Sequence, residues 1–244
     1  MNVQNKILII GATSGIGSQI SKELDNQYQL YLCGRNNDKL KIIKKILENK
    51  HTAIQLDICN NNDIDNLVAE ISPVDGFVYC SGIAPAIPAK YIKETDIANV
   101  FDVNFIGAVK LVSELLKKKK LNSGASLVFI SSEAVRQPYF GSALYSASKA
   151  ALEAYSIALS KELGTKKIRV NCVSPTYVET PMLEQAANTM SEEFVIKMKK
   201  LHPEAFIHAG NVASVVSYLL SDKSVAINGQ ILKLGRFSIN IPEL

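Results

Sequence analysis

Short apolar runs recur along the chain, separated by longer segments in which apolar residues return every three or four positions. The runs Lys6–Ile10, Gln29–Cys33, Thr52–Leu56, Gly76–Cys80, Ser126–Ser131, Ile168–Val173 and Gln230–Leu234 read as strands. Parallel strands buried on both faces have this continuous apolar character, without the polar alternation of a half-exposed sheet. The periodic segments predict helices near Gly15–Leu24, Asp38–Glu48, Asp63–Ile71, Thr95–Lys118, Ala143–Leu163 and Asn211–Leu220. Strand and helix alternate throughout, which predicts an α/β fold: a doubly wound (Rossmann-type), seven-stranded parallel sheet with helices on both faces.

No internal repeat, low-complexity tract or Pro/Gly/Ser linker divides the sequence, so residues 1–244 are expected to form a single domain. The rhythm breaks between Pro175 and Ala209. That stretch, about 176–209, reads as a substrate lid: it leaves the sixth strand, carries a short helix at Ser191–Lys200 and returns through Pro203 to the last helix.

Composition narrows the choice of function. A chain of 244 residues, 47% hydrophobic and 20% charged, can bury a sizeable core and is not of the disordered class. The 27 basic and 23 acidic residues leave a net charge of +4 spread along the chain, unlike the basic stripe of a nucleic-acid binder. The run Lys117–Lys120 reads as a solvated helix end. No stretch approaches the roughly 20 apolar residues of a membrane span, and Met1 leads almost directly into a strand with no leader-peptide pattern. Cys33, Cys59, Cys80 and Cys172 have no CxxC or Cys/His spacing, and His51, His202 and His208 form no HExxH-like cluster. The expectation is a cytoplasmic protein with reduced thiols, no metal site, and no nucleic-acid or membrane partner.

Candidate chemistry starts where the first strand ends. Gly11-Ala-Thr-Ser-Gly15-Ile-Gly17 opens a helix; glycines there permit a sharp turn and close approach to a pyrophosphate, met by free N–H groups and the helix dipole. The spacing is GxxxGxG and not GxGxxG, and a turn of this composition also serves purely structural ends. Tyr145 and Lys149 are four residues apart, on one face of a predicted helix. A phenol ionises near pH 10, and an adjacent ammonium favours the phenolate and brings that value down. Many amphipathic helices carry such a pair by chance. Here Ser131-Ser132 ends a strand thirteen residues before Tyr145, at the carboxyl edge where a hydroxyl can meet a substrate carbonyl. Asn104 lies among Val100, Phe101, Val103, Phe105 and Ile106, and reads as a satisfied core amide or as a helix-bending side chain.

In combination these residues resemble the short-chain dehydrogenase/reductase family in its single-domain form, over essentially the whole chain. Gly11, Gly15 and Gly17 fall on its glycine motif, with Thr13, Ser14 and Ile16 between them and Ile10 in place of the usual threonine. Asn104, Ser132, Tyr145 and Lys149 match the catalytic tetrad in order and spacing. The resemblance implies hydride transfer between a nicotinamide and a carbonyl or alcohol. It makes Tyr145 the general acid in reduction and Ser132 the group that bonds the carbonyl oxygen. Lys149 lowers the tyrosine pKa and holds the nicotinamide ribose, and Asn104 holds a helix bend and a water. The implied cofactor contacts also include Asp57 and Ile58 beside the adenine, Gly82 after the fourth strand, and Pro175, Val178 and Thr180 beside the carboxamide.

Cofactor choice turns on Gly34 and Arg35, where an NAD enzyme commonly has a carboxylate for the ribose 2′-hydroxyl and an NADP enzyme offers a guanidinium. NADP(H) is expected, with NAD(H) as second candidate because Ser14 lacks the extra basic group of some relatives. The sequence departs from the family at Tyr79-Cys80-Ser81-Gly82, at Pro175-Thr176 and at Leu234-Gly235-Arg236. An NADPH-dependent carbonyl reductase is therefore expected, with 3-oxoacyl thioesters as the commonest substrates of such relatives. The alternative is a nucleotide-binding regulatory or interaction protein with weak or absent catalysis. Partners would be a small carbonyl or alcohol substrate, including acyl-carrier-protein or CoA thioesters. Lys117–Lys120, Lys166 and Lys167 would offer an acidic carrier a basic rim, and Met182, Leu183, Phe194 and Phe206 would supply apolar lid groups. A homodimer or homotetramer is expected through Thr95–Lys118 and Ala143–Leu163, where Ala147, Ala150, Ala151, Ala154 and Ala158 allow close helix approach.

Overall fold

The computed structural model describes residues 5–47, 51–183, 200 and 203–235. Seven parallel strands form the sheet: β1 (Lys6–Ile10), β2 (Gln29–Gly34), β3 (Thr52–Gln55), β4 (Val74–Tyr79), β5 (Leu121–Ile130), β6 (Arg169–Pro175) and, after two short strands β7 (Tyr177–Glu179) and β8 (Phe206–His208), β9 (Ile231–Leu234). Their order is β3-β2-β1-β4-β5-β6-β9. The chain winds outward from β1 to β3, then crosses back to β4 and winds the other way, so the order reverses between β1 and β4. Loops diverge above and below the sheet at such a reversal and leave a crevice at the carboxyl ends of the strands.

The helices are α1 (Gly15–Leu24), α2 (Asn37–Ile46), α3 (Asn61–Glu70), α4 (Glu94–Phe101), α5 (Gly107–Lys117), α6 (Ala143–Glu162) and α7 (Ala209–Leu220). Successive residues of each strand point to opposite faces, and both faces are covered. Leu8, Ile10, Phe77 and Phe129 join one buried cluster with Leu67, Leu111 and Leu152, from α3, α5 and α6. Ile7, Ile9, Val78 and Val128 join a second with Ile20, Leu40 and Val216, from α1, α2 and α7. This two-sided burial is why the strands read as unbroken apolar runs.

Three elements differ from the sequence reading. The segment Thr95–Lys118 is not one α-helix: α4 and α5 are separated by a π-helical turn at Asp102–Ile106. Strand β5 starts at Leu121, five residues before Ser126, in the polar stretch Leu121–Ala125, and its pairing with β4 shifts register between Val74 and Gly76. Within the stretch read as irregular, β7 and β8 pair in parallel, with the Tyr177 and Phe206 rings stacked at 5.1 Å. Strands of three residues are too short for a period to show. The expected helix Ser191–Lys200 (but for Lys200) and the lid residue Phe194 lie outside the described residues, as does Arg236. Among the described residues no helix is long and apolar enough to cross a membrane, and no group of three or more His, Cys, Asp or Glu could hold a metal ion.

Candidate active site

The glycine turn is built by close approach. Gly11 has φ +87°, and its N–H donates to the Cys33 carbonyl at 2.9 Å, with Ala12 N–H on the same acceptor at 3.0 Å. A Cβ on Gly17 would sit 2.0 Å from the Gly11 carbonyl oxygen, so the first turn of α1 rests directly on the loop. Ser14 precedes α1 in extended conformation and makes no side-chain capping bond. Ser14 thus leaves the first turn of α1 without a side-chain cap, an arrangement that suits a pyrophosphate.

A cleft of about 380 Å³ opens above this turn. It gathers Gly11, Thr13, Ser14, Gly15, Ile16, Arg35, Ile58, Gly82, Ser132, Tyr145, Lys149, Pro175, Val178 and Thr180. Three expected residues do not line it. Gly17 acts from beneath, as above. Asp57 borders a separate shallow hollow with Cys59 and Asn60, and its carboxylate accepts the Cys59 N–H at 3.0 Å. Asn104 is fully buried. Its Oδ1 accepts Ile83 N–H at 2.8 Å, while Nδ2 donates to the Ile83 carbonyl at 2.9 Å and to Ser148 Oγ at 2.9 Å. Both sequence readings of Asn104 thus hold: it is a satisfied core amide, and it sits in the π-turn that separates α4 from α5. Through Ser148, whose hydroxyl donates to the Tyr145 carbonyl at 2.7 Å, the π-turn is fixed to the helix carrying Tyr145 and Lys149.

Tyr145 and Lys149 are buried at 8% and 4% exposure. Lys149 Nζ donates to the Ile130 carbonyl at 2.8 Å and lies 5.9 Å from the Tyr145 ring centroid. Ser132 caps the 3₁₀ turn Glu133–Val135, its Oγ accepting Ala134 N–H at 3.2 Å, and it lines the same cleft as Tyr145. Burial pushes the Tyr145 phenol above its ordinary value, opposed by the Ser132 hydroxyl and reinforced by Cys80. Burial pushes Lys149 down. The expected depression of Tyr145 by Lys149 is thus not found in the protein alone: desolvation outweighs an ammonium already committed to a carbonyl. Tyr145 consequently keeps its proton at neutral pH, as a proton donor must.

The ribose end of the cleft is lined by Gly34, Arg35, Asn36 and Lys39. It presents two cations and no carboxylate. Lys39 escaped sequence reasoning, although it stands in the first turn of α2, one helical repeat beyond Arg35. Gln137 and Tyr139 were also missed; they lie in an aperiodic loop between Ser132 and Tyr145, so only their place between those residues could have flagged them.

Of the departures from the family pattern, Tyr79 is satisfied locally, whereas Thr176 Oγ1 is buried without a hydrogen-bond partner among the described residues. Tyr79 Oη donates to the Val103 carbonyl at 2.6 Å and braces β4 against the π-turn. Thr176 and Gly235 fit one another: Gly235 has φ +96°, and a Cβ there would lie 2.0 Å from Thr176 Oγ1. The basic rim is weaker than expected, because Lys117 pairs with Glu114 at 2.7 Å and Lys120 donates to the Ile71 carbonyl.

A family model described as short chain dehydrogenase matches residues 5–191. The chain belongs to this family. It is 30% identical over 226 residues to the 3-oxoacyl-[acyl-carrier-protein] reductase FabG of Rickettsia bellii, covering 92% of each chain. It is 32% identical over 244 residues to the L-xylulose reductase of Caenorhabditis elegans, covering 96% of each. A solved structure of an actinorhodin polyketide ketoreductase variant with NADPH superposes with a TM-score of 0.87 at 27% identity, over 96% of this chain and 97% of the other. A short-chain dehydrogenase/reductase of Brucella melitensis described as glucose/ribitol dehydrogenase gives 0.86 at 26% identity, over 95% of each. This short-chain dehydrogenase is an NAD(P)-dependent oxidoreductase acting on a carbonyl or CH–OH group, and the glycine turn and uncapped α1 terminus fit that dinucleotide.

Proposed function

We propose that the enzyme reduces the ketone of a 3-oxoacyl thioester to an alcohol with NADPH. The observation that carries this reading is a buried phenol, Tyr145, that lines one cleft with Ser132 and Lys149 beside the glycine turn. When bound, the dihydronicotinamide supplies the hydride. Ser132 Oγ holds the substrate carbonyl oxygen and stabilises the charge that develops on it. Tyr145 donates its proton to that oxygen. Lys149, fixed by the Ile130 carbonyl, faces the nicotinamide ribose and holds positive charge beside the phenolate left behind. Asn104 keeps the bend and the Gly82-Ile83 loop in place.

Arg35 and Lys39 support the choice of NADPH, since both cations can meet a 2′-phosphate where a carboxylate would repel it. Gly11, Thr13, Ser14, Gly15, Ile16 and Gly17 form the pyrophosphate turn, Ile58 meets the adenine while Asp57 holds the adjoining turn through Cys59 N–H, and Pro175, Val178 and Thr180 flank the carboxamide. The expected lid, about 176–209, lies in part outside the described residues; of it, Pro181, Met182 and Leu183 line the cleft. An acyl-carrier-protein or CoA thioester fits the FabG relatives, and the four free cysteines suit a reducing compartment. Ala143, Ala147, Ala154 and Ala158 form an exposed small-residue stripe on α6, which supports pairing of two copies through α4–α6. Light scattering should give a dimer or tetramer at micromolar concentration; a monomer rejects that assembly.

The substrate class is tested by NADPH oxidation against acetoacetyl thioesters, diketones, quinones and keto-sugars. Preference for the thioester is expected. Preference for a keto-sugar would transfer the assignment to the chemistry named for the L-xylulose reductase relative. Tight NADPH binding without turnover of any class would favour a regulatory protein.

A further inference from the structure

The turn that carries Ser132 is anchored by a buried ion cluster outside the tetrad. The Glu133 and Glu153 side chains are each 6% exposed, and the Arg136 guanidinium lies between them. Arg136 Nη2 donates to Glu153 Oε2 at 2.7 Å, and Nη1 donates to Glu153 Oε1 and Glu133 Oε1, each at 3.2 Å. Two hydroxyls complete the cluster. Ser131 Oγ donates to Glu153 Oε1 at 2.8 Å, and Ser174 Oγ on β6 donates to Glu133 Oε1 at 2.9 Å. Planar two-point contact between a guanidinium and a carboxylate fixes orientation as well as distance.

Glu153 stands four residues beyond Lys149 and eight beyond Tyr145, so one face of α6 carries all three. Each meets the strand end opposite it. Tyr145 lines the cleft together with Ser132, Lys149 bonds the Ile130 carbonyl, and Glu153 bonds Ser131 and Arg136. Ile130, Ser131 and Glu133, on both sides of Ser132, are therefore tied to one helix face or to its ion pair. Moving Arg136 or Glu153 displaces the turn on which Ser132 rests, while the glycine turn, on the far side of β4, has no contact with the cluster.

We propose that Arg136 and Glu153 are positioning residues that set the Ser132–Tyr145 geometry, and through it the rate of reduction, without contributing to dinucleotide affinity. The proposal rests on Ser132 and Tyr145 acting as the catalytic pair. A displacement near 1 Å at reacting groups costs on the order of 100-fold in rate, so Arg136→Met should lower kcat by about 10- to 100-fold. The NADPH Kd should stay within about twofold, since no phosphate or ribose contact changes. Arg136→Lys retains the charge and should recover part of the loss, and it serves as the milder variant if Arg136→Met folds poorly.

A second readout needs no substrate. In protein labelled with ¹³C at tyrosine Cζ, assigned with Tyr145→Phe, the Tyr145 resonance reports the phenol's surroundings, the Ser132 hydroxyl included. Arg136→Met should shift it in the same direction as Ser132→Ala. An unchanged resonance in folded Arg136→Met overturns the proposal, as does a rise in NADPH Kd that parallels the fall in kcat. If the wild type reduces no carbonyl, the catalytic reading fails by itself, and the resonance still decides whether the cluster positions Ser132.

Discussion

Lys149 Nζ donates to the main-chain oxygen of Ile130 at 2.8 Å, two residues before Ser132. Helix α6 and the carboxyl end of β5 are thereby joined at the point where their side chains converge. Replacing the lysine by methionine leaves that carbonyl without its buried donor and removes the cation beside Tyr145. Lys149→Met should lower kcat/KM by about 100-fold or more, the scale of a lost charge-stabilising group. It should also weaken NADPH binding; steady-state kinetics with a fluorescence titration of NADPH checks both. Normal kinetics in this variant would remove Lys149 from the mechanism.

Gly17 tests the packing of the dinucleotide turn. A methyl group at this position meets the Gly11 carbonyl oxygen at 2.0 Å, backbone against backbone, and neither side can yield cheaply. Gly17→Ala should cost about 3 kcal/mol or more, the range of severe overpacking. Gly164→Ala is the control, since nothing lies within 4 Å of an added Cβ; its change should stay within about 1 kcal/mol. Thermal unfolding of both variants separates local crowding from a general intolerance of substitution at glycine.

Cofactor preference should reside in Arg35 and Lys39 together. The double change Arg35→Ser/Lys39→Ser should weaken NADPH by about 100-fold, two charge-assisted contacts at 1.5–3 kcal/mol less their solvent screening. NADH binding should change little. Introducing the carboxylate of NAD enzymes is obstructed, because a Cβ on Gly34 lies 2.8 Å from Thr13 Cγ2; Gly34→Asp alone should therefore bind NADH poorly. Competition titration reads all three proteins, and tighter NADH than NADPH binding by the wild type would contradict the account.

Much of the architecture was legible because burial is two-sided. Ile7 and Ile9 face one cluster and Leu8 and Ile10 the other, so β1 could only read as apolar throughout, and the same holds for β4 and β5 at Val128–Ile130. The π-turn was not legible as a break, since Val103, Phe105 and Ile106 continue the apolar period across it; Asn104 was its one trace. That Ser132, Tyr145 and Lys149 share one cleft was readable from spacing, but the effect of burial on their ionisation was not. Proximity in sequence suggested a depressed Tyr145, whereas burial, which no local pattern reports, drives it upward. Lys39 was hidden for a related reason: on α2 it reads as one of several solvent-facing lysines, and only the wound sheet brings it to the ribose end of the cleft.

The measurement closest to the central claim is NADPH oxidation by the purified protein with acetoacetyl-CoA, run beside Tyr145→Phe. The substitution removes one oxygen from a buried ring and leaves the glycine turn, Arg35 and Lys39 untouched. Turnover should fall by about 1,000-fold, at the middle of the range for loss of a positioned general acid, while NADPH still binds with nearly unchanged affinity. Near-normal turnover in Tyr145→Phe would contradict the assignment of the proton donor and, with it, the proposed chemistry of the site.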